Sequence, residues 1–203
     1  MGEVMALTRN RSCVIEKIGT YNEFHDGEHA AMTLDPEIDM RMFPRHWAHA
    51  YAVEAKGADG PRRSVQVFDA AGGAVHKVHL RPGSDLDAWG ELLRDLALPD
   101  QAGMSDFAPR AMPEGARIAE DRADTLRAEW VKMTDTHQFN TLVRRLKMNR
   151  LGAYRVAGSP FASPLDVEAV PALFEQVQAE AQQVMLFVGN MGCIEIHSGP
   201  IRT

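Results

Sequence analysis

The chain has 203 residues, 45% apolar and 25% charged, with a net charge of −6 at pH 7. These are the proportions of an ordinary soluble globular protein. The acidic balance argues against a nucleic-acid binder, which would carry a basic stripe. No run of about 18 apolar residues is available to span a membrane, and the opening MGEVMALTRNRS lacks the apolar core of a secretory signal. Cys13 and Cys193 lie far apart and read as reduced thiols, small residues of buried strands. The expectation is a cytoplasmic acidic protein.

The first part of the chain reads as an antiparallel sheet. Cys13-Val14-Ile15 leads into a turn-rich stretch from Gly19 to Glu28, and Ala30 to Leu34 is a second candidate strand. Trp47 to Glu54 and Arg63 to Phe68 alternate with period two. Asp69-Ala70-Ala71-Gly72-Gly73 signals a hairpin feeding a strand from Ala74 to Leu80. Ser84 or Asp85 can then cap a helix running to about Leu96. Residues 99–122, rich in Pro, Gly, Asp and Ala, read as a linker, because so long a connection is unusual inside one compact unit.

The second part reads as helical. Asp124 to Met133 is one candidate helix, and Asp135 to about Lys147 is the next, with Asp135 and Gln138 spaced as a capping box. Phe139, Leu142, Val143 and Leu146 form its buried stripe. A further helix lies between Ser163 and Gln183. Val184 to Val188 reads as a buried strand, followed by a second from Cys193 to His197.

Two stretches echo each other. RNRSCVIEKIG at 9–19 and GNMGCIEIHSG at 189–199 align at an offset of 180, matching Asn10 with Asn190 and Cys13 with Cys193. Two copies of one structural unit are implied. The expected organisation is α+β: a repeat-one antiparallel sheet plus helix over 1–98, a linker over 99–122, and over 123–203 the helices and opening strand pair of repeat two. An isolated hairpin is marginal in water, so the last strand pair is expected to need another sheet.

No phosphate-binding glycine loop, nucleophile elbow, HExxH or CxxC motif occurs. Histidines and arginines are the candidates. His137 lies at the start of the Asp135 helix, about 200° from Phe139 and so off the apolar stripe. A helix N-terminus favours the neutral imidazole that a metal requires; a solvated helix-start histidine fits the same spacing. Arg144, Arg145, Lys147 and Arg150 either complement a helix C-terminus or form an anion site. His46, His49, His76 and His79 lie on or beside strands without the convergence zinc needs. Arg41 and Arg45 flank Pro44 and either clamp an anion or sit at a solvated strand entry.

At these residues the chain resembles a known family. LTRNRSCVIEKIGTY, DMRMFPRHWAHAYAVE, SVQVFDAAGGAVHKVHL, EWVKMTDTHQF and VMLFVGNMGCIEIHSGP, in this order along essentially the whole chain, resemble the haemin-degrading (haemin transport, HemS-type) family of bacteria. The resemblance implies a cytoplasmic haem-binding protein with two repeats, each a group of helices followed by a large antiparallel sheet. It implies haem b (iron protoporphyrin IX) as cofactor and His137, the histidine of the TDxHxF block, as its axial ligand. Arg41 and Arg150 match the arginines near the haem carboxylates. Asn140 stands where the family usually has an aromatic, and Met191 where arginine is common. Relatives begin earlier and continue past this C-terminus, so the expectation is a chain truncated at both ends: a fragment, a truncated reading frame, or a minimal form that completes itself by association, a homo-oligomer if stable alone.

The function so implied is acceptance of imported haem, with transfer to a haem oxygenase, with or without a reductase partner, or degradation that releases iron. The alternative is an interaction or structural module that kept the fold and lost the ligand.

Overall fold

The computed structural model describes residues 1–58, 60–101 and 106–201. The chain forms two compact units: residues 1–110 with 175–203, and residues 111–174.

The first unit holds two five-stranded antiparallel sheets. One runs in the order β2 (Val14–Gly19), β1 (Val4–Arg9), β8 (Ala74–Leu80), β7 (Gly60–Phe68), β6 (His49–Gly57). The other runs β3 (Phe24–His25), β4 (Ala31–Leu34), β5 (Asp39–Met42), β10 (Cys193–Pro200), β9 (Gln183–Gly189). Alternation sets which side chains turn inward. Val4 and Ala6 of β1, Val67 of β7 and Val75 of β8 share one core with Ala31 of β4, Met40 and Met42 of β5, and Cys193 of β10. Asp85 caps helix α1 (Leu86–Leu96), its carboxylate accepting from the Asp87 and Ala88 N–H groups.

The last strand pair does not stand without a sheet. β10 pairs with β5, setting Cys193 against Met42 and Ile194 against Arg41. The sheet that this pair was expected to need is supplied by the opening strands of the same chain, which puts residues 175–203 in one compact unit with them rather than with the helices before them. β9 is not buried on both faces: Met185 is 61% and Phe187 59% exposed. Only one face of β9 turns to the core, so its residues alternate in exposure. Strands β1 and β5 begin outside the expected segments, because Met, Ala and charged residues carry little strand propensity.

The two echoing segments form the same hairpin. Arg9 faces Val14 as Gly189 faces Ile194, and Val4 faces Gly19 as Val184 faces Gly199. In each turn the asparagine side-chain oxygen accepts two backbone N–H groups, those of Ser12 and Cys13 or of Gly192 and Cys193, at 2.8–3.1 Å. The turns are also hooked together: Asn10 Nδ2 donates to the Gly189 carbonyl at 3.1 Å, and Asn190 Nδ2 to the Arg9 carbonyl at 3.0 Å.

A polar cluster sits inside this unit. The hydroxyls of Thr8 and Tyr21 hold the two ring nitrogens of buried His76, at 2.9 and 2.5 Å. Burial lowers the His76 pKa to about 4. Glu195 is fully buried, and neither of its carboxylate oxygens makes a hydrogen bond among the described residues. Burial raises its pKa to about 7, opposed by the nearby Thr8 hydroxyl and the Lys17 charge.

The second unit is helical: α2 (Ala123–Val131), α3 (Gln138–Arg145) and α4 (Arg150–Ala157). Leu126, Phe139, Leu142, Val143, Leu146, Met148, Ala153 and Ala157 form its core. Asn149 caps α4 and also ties down the segment before α2: its side-chain oxygen accepts from the Gly152 and Arg117 N–H groups, and its Nδ2 donates to the Gly115 carbonyl. Gly152 is demanded by that close approach, since a Cβ there would lie 1.7 Å from the Arg117 carbonyl oxygen. Helix α5 (Ala169–Ala179) leads toward β9. No helix among the described residues is long and apolar enough to cross a membrane.

Candidate functional site

The strongest candidates lie around the start of α3. The capping box expected there is not the one formed. Helix α3 starts at Gln138 with His137 at its N-cap, and the preceding residues make a tight turn. Gln138 reaches back, its Oε1 accepting the Thr134 N–H at 3.0 Å. Asp135 bonds His137 twice through one oxygen: Oδ1 accepts the His137 backbone N–H at 2.6 Å and lies 2.8 Å from His137 Nδ1. Those two hydrogen bonds, the backbone one foremost, hold the Asp135 carboxyl below the usual carboxylate range.

The His137 side chain is 92% exposed, while Phe139, Leu142 and Val143 are buried. The imidazole thus points away from the packed face, as its angular position requires. Asn140 follows one turn on, on the same side of the helix. Its side-chain oxygen accepts from Arg150 Nη2 at 3.0 Å. The structure therefore brings Arg150 to the His137 side of α3, although by a route the sequence did not suggest. Arg150 does not continue the basic end of α3; it opens a separate helix, α4. Arg144 and Arg145 remain in the last turn of α3. The opposite, packed face of α3 belongs to an aromatic group in the core. Phe139 and Tyr154 stack at 5.5 Å with 17° between their planes, and Trp130 packs against both.

Arg41 belongs to the other compact unit, on β5. Its Nη1 already donates to Asp39 and to the carbonyls of Met40 and Thr33. His46 lies against Arg45, His49 packs edge-on to Phe107 at 5.5 Å, and His76 is in the core. Among the described residues no group of three or more His, Cys, Asp or Glu could hold a metal ion. A metal at His137 must therefore bring its other ligands with it, as a porphyrin does with its four nitrogens. One exposed imidazole nitrogen and a neighbouring guanidinium suit such a group.

Comparison with known proteins assigns the relationship. The haemin-degrading HemS.ChuX domain matches residues 1–96 and 147–203. The chain belongs to this family. The match includes Arg41 and Arg150 and leaves out 97–146, where His137 stands; pairwise similarity covers that part. The hemin transport protein HmuS of Yersinia pestis is 36% identical over 202 residues, which is 99% of this chain and 58% of the relative. Holo-PhuS, a heme-binding protein from Pseudomonas aeruginosa, superposes with a TM-score of 0.89 at 36% identity, covering all of this chain and 60% of PhuS. The heme-degrading enzyme ChuS of Escherichia coli O157:H7 superposes with a TM-score of 0.84 at 30% identity, covering all of this chain and 58% of ChuS. The chain thus spans under two thirds of the length of these relatives.

Proposed function

We propose that the chain binds haem b through His137 and serves haem uptake and iron utilisation in the cytoplasm, accepting imported haem and either passing it to a haem oxygenase or degrading it. The observation that carries this reading is the exposed imidazole at the start of α3 with Arg150 tethered one helical turn away by Asn140, in a chain of the HemS/ChuX family. When bound, haem would supply the iron-centred redox and oxygen chemistry. The protein residues position it. His137 offers one ring nitrogen, and Arg150 can exchange its amide partner for a propionate, a stronger, charge-assisted bond. Arg41 is the second propionate contact by family resemblance, and it would have to share its charge with Asp39.

A haem titration followed by the Soret band tests the reading. Near one-to-one binding is expected, lost in His137→Ala. Arg150→Ala should weaken binding about tenfold, since a charge-assisted bond contributes roughly 1.5–3 kcal/mol, and the loss should shrink with the propionate dimethyl ester. Equal spectra and affinity for wild type and His137→Ala would remove His137. Turnover with ascorbate or a reductase in the presence of catalase separates a degrading enzyme from a carrier.

Two structural readings accompany this. We take the paired hairpins as equivalent parts of two repeats, supported by their shared register and turn bonding. We also propose self-association along β9, an edge strand of sequence QVMLFVG without a charge, because an unprotected edge invites strand pairing and a twofold contact is the commonest form of it. Light scattering that finds only monomer at micromolar concentration would overturn this.

A further inference from the structure

We propose that Asp135 is the positioning residue for the iron-binding imidazole: it holds the Nδ1–H of His137, so that the ring presents Nε2 in a fixed orientation and as a stronger donor. The inference rests on the haem reading above and goes beyond it, from which residue binds to what sets its tautomer, direction and donor strength.

The argument starts from valence. A carboxylate oxygen only accepts hydrogen bonds, so the 2.8 Å contact between Asp135 Oδ1 and His137 Nδ1 requires the hydrogen on Nδ1. A neutral imidazole has one N–H, which leaves the lone pair on Nε2. Without a partner, imidazole side chains in water favour hydrogen on Nε2, the tautomer that blocks this ligand atom. Orientation follows from the second bond. The same Oδ1 also accepts the His137 backbone N–H, so backbone and ring of one residue are gripped at a single point. A ring as exposed as this would otherwise turn freely about its side-chain bonds.

The length of the side chain matters. Two residues before the histidine, Asp reaches both N–H groups at once in the manner of an Asx turn; Glu, one methylene longer, would displace the oxygen. The turn is braced independently by Gln138 to Thr134 and by the Gln138 N–H to the Asp135 carbonyl, so the carboxylate is not what starts the helix. Arg150, the cation of the same site, is bonded to Asn140. Carboxylate partners of metal-bound histidines raise ligand basicity, and their loss typically costs 10–100-fold in metal affinity.

The experiment has one arm without haem and one with it. In the apo chain at pH 8.5, nitrogen-15 NMR of the His137 ring should show Nδ1 protonated in wild type and in Asp135→Asn, and a return to Nε2–H in Asp135→Ala. With haem, Asp135→Ala should weaken binding 10–100-fold. Asp135→Asn keeps an accepting oxygen without the charge. It should bind with the same coordination but a lower iron–histidine stretching frequency in the ferrous state. If it loses about tenfold more ferric than ferrous affinity, the midpoint potential rises by about 59 mV.

A purely structural Asp135 would leave that frequency and potential unchanged in Asp135→Asn. That result, or a wild-type ring carrying its hydrogen on Nε2, overturns the proposal. His137→Ala separates the two ideas: if it binds haem like wild type, His137 is not the ligand and the role of Asp135 falls with it; if it loses haem while both Asp135 variants match wild type in spectrum, potential and affinity, only the role of Asp135 falls.

Discussion

The β1–β2 and β9–β10 hairpins share register, turn and asparagine hydrogen bonds, yet they live in different surroundings. In the first, β1 is interior, between β2 and β8, and β2 is at the edge; in the second, β10 is interior, between β5 and β9, and β9 is at the edge. Cys13 is exposed and Cys193 buried. Ser12 lies in an open turn, whereas its counterpart Gly192 is pressed against Val75 and Trp47. Similar local sequence has produced the same local structure, and neighbours distant in the chain have decided what each copy buries.

The largest expected difference is between Ile196 and its counterpart Glu16. Ile196 is buried and Glu16 exposed. Ile196→Ala should lower unfolding stability by about 2–5 kcal/mol, and Glu16→Ala by no more than about 0.5 kcal/mol, measured by chemical denaturation. Equal effects would mean that the second hairpin is not packed more deeply than the first.

The next difference depends on pH. Glu195 has no titratable counterpart, since Ile15 holds that place. Its folded pKa of about 7 lies above its ordinary 4.5, so the folded chain holds the proton more tightly. Stability is then greatest at low pH and falls as pH rises from about 4.5 to 7, by a total on the order of 3 kcal/mol. His76 runs the other way: its pKa is lowered from 6.5 to about 4, so stability falls as pH drops from about 6.5 to 4. Between pH 4.5 and 6.5 folding in effect moves one proton from His76 to Glu195, and the two slopes cancel. Urea denaturation should show a flat wild-type profile there, a rising one for Glu195→Gln and a falling one for His76→Gln. A steep wild-type slope would place other groups in control.

A smaller effect is expected from exchanging the turn residues. Gly192→Ser puts a Cβ 2.4 Å from Val75 Cγ1 and should cost about 1–3 kcal/mol; Ser12→Gly should cost under about 1 kcal/mol. Thermal melts of both variants measure this. The last test leaves stability untouched. Cys193 is fully buried, and burial pushes its thiol pKa up to about 11, so a thiol reagent at pH 8 should modify Cys13 rapidly and Cys193 only after unfolding. Two fast thiols would show that the second turn opens.

The candidate site was legible in part. Off-stripe placement of His137 follows from angles on a helix, and its exposure agrees. The Asp135–His137 contact was not legible, because the spacing to Gln138 suggests a capping box and only the folded turn directs the carboxylate to the histidine instead. Arg150 reads as the tail of a basic helix end until the break before it becomes visible. Lys147, in the left-handed region at φ 59°, separates α3 from α4.

Sequence alone determined what short-range physics controls. It set the Asp85 cap of α1, the buried stripe of α3 and the face on which His137 stands, all bonds or angles spanning a few residues. Only the tertiary structure decided that β10 joins β5 across roughly 150 residues of chain, that Glu195 and His76 share one buried interior, and that Asn140 draws Arg150 toward His137. Strand pairing and burial depend on which distant segments meet, and the local alternation of apolar residues is compatible with many such meetings.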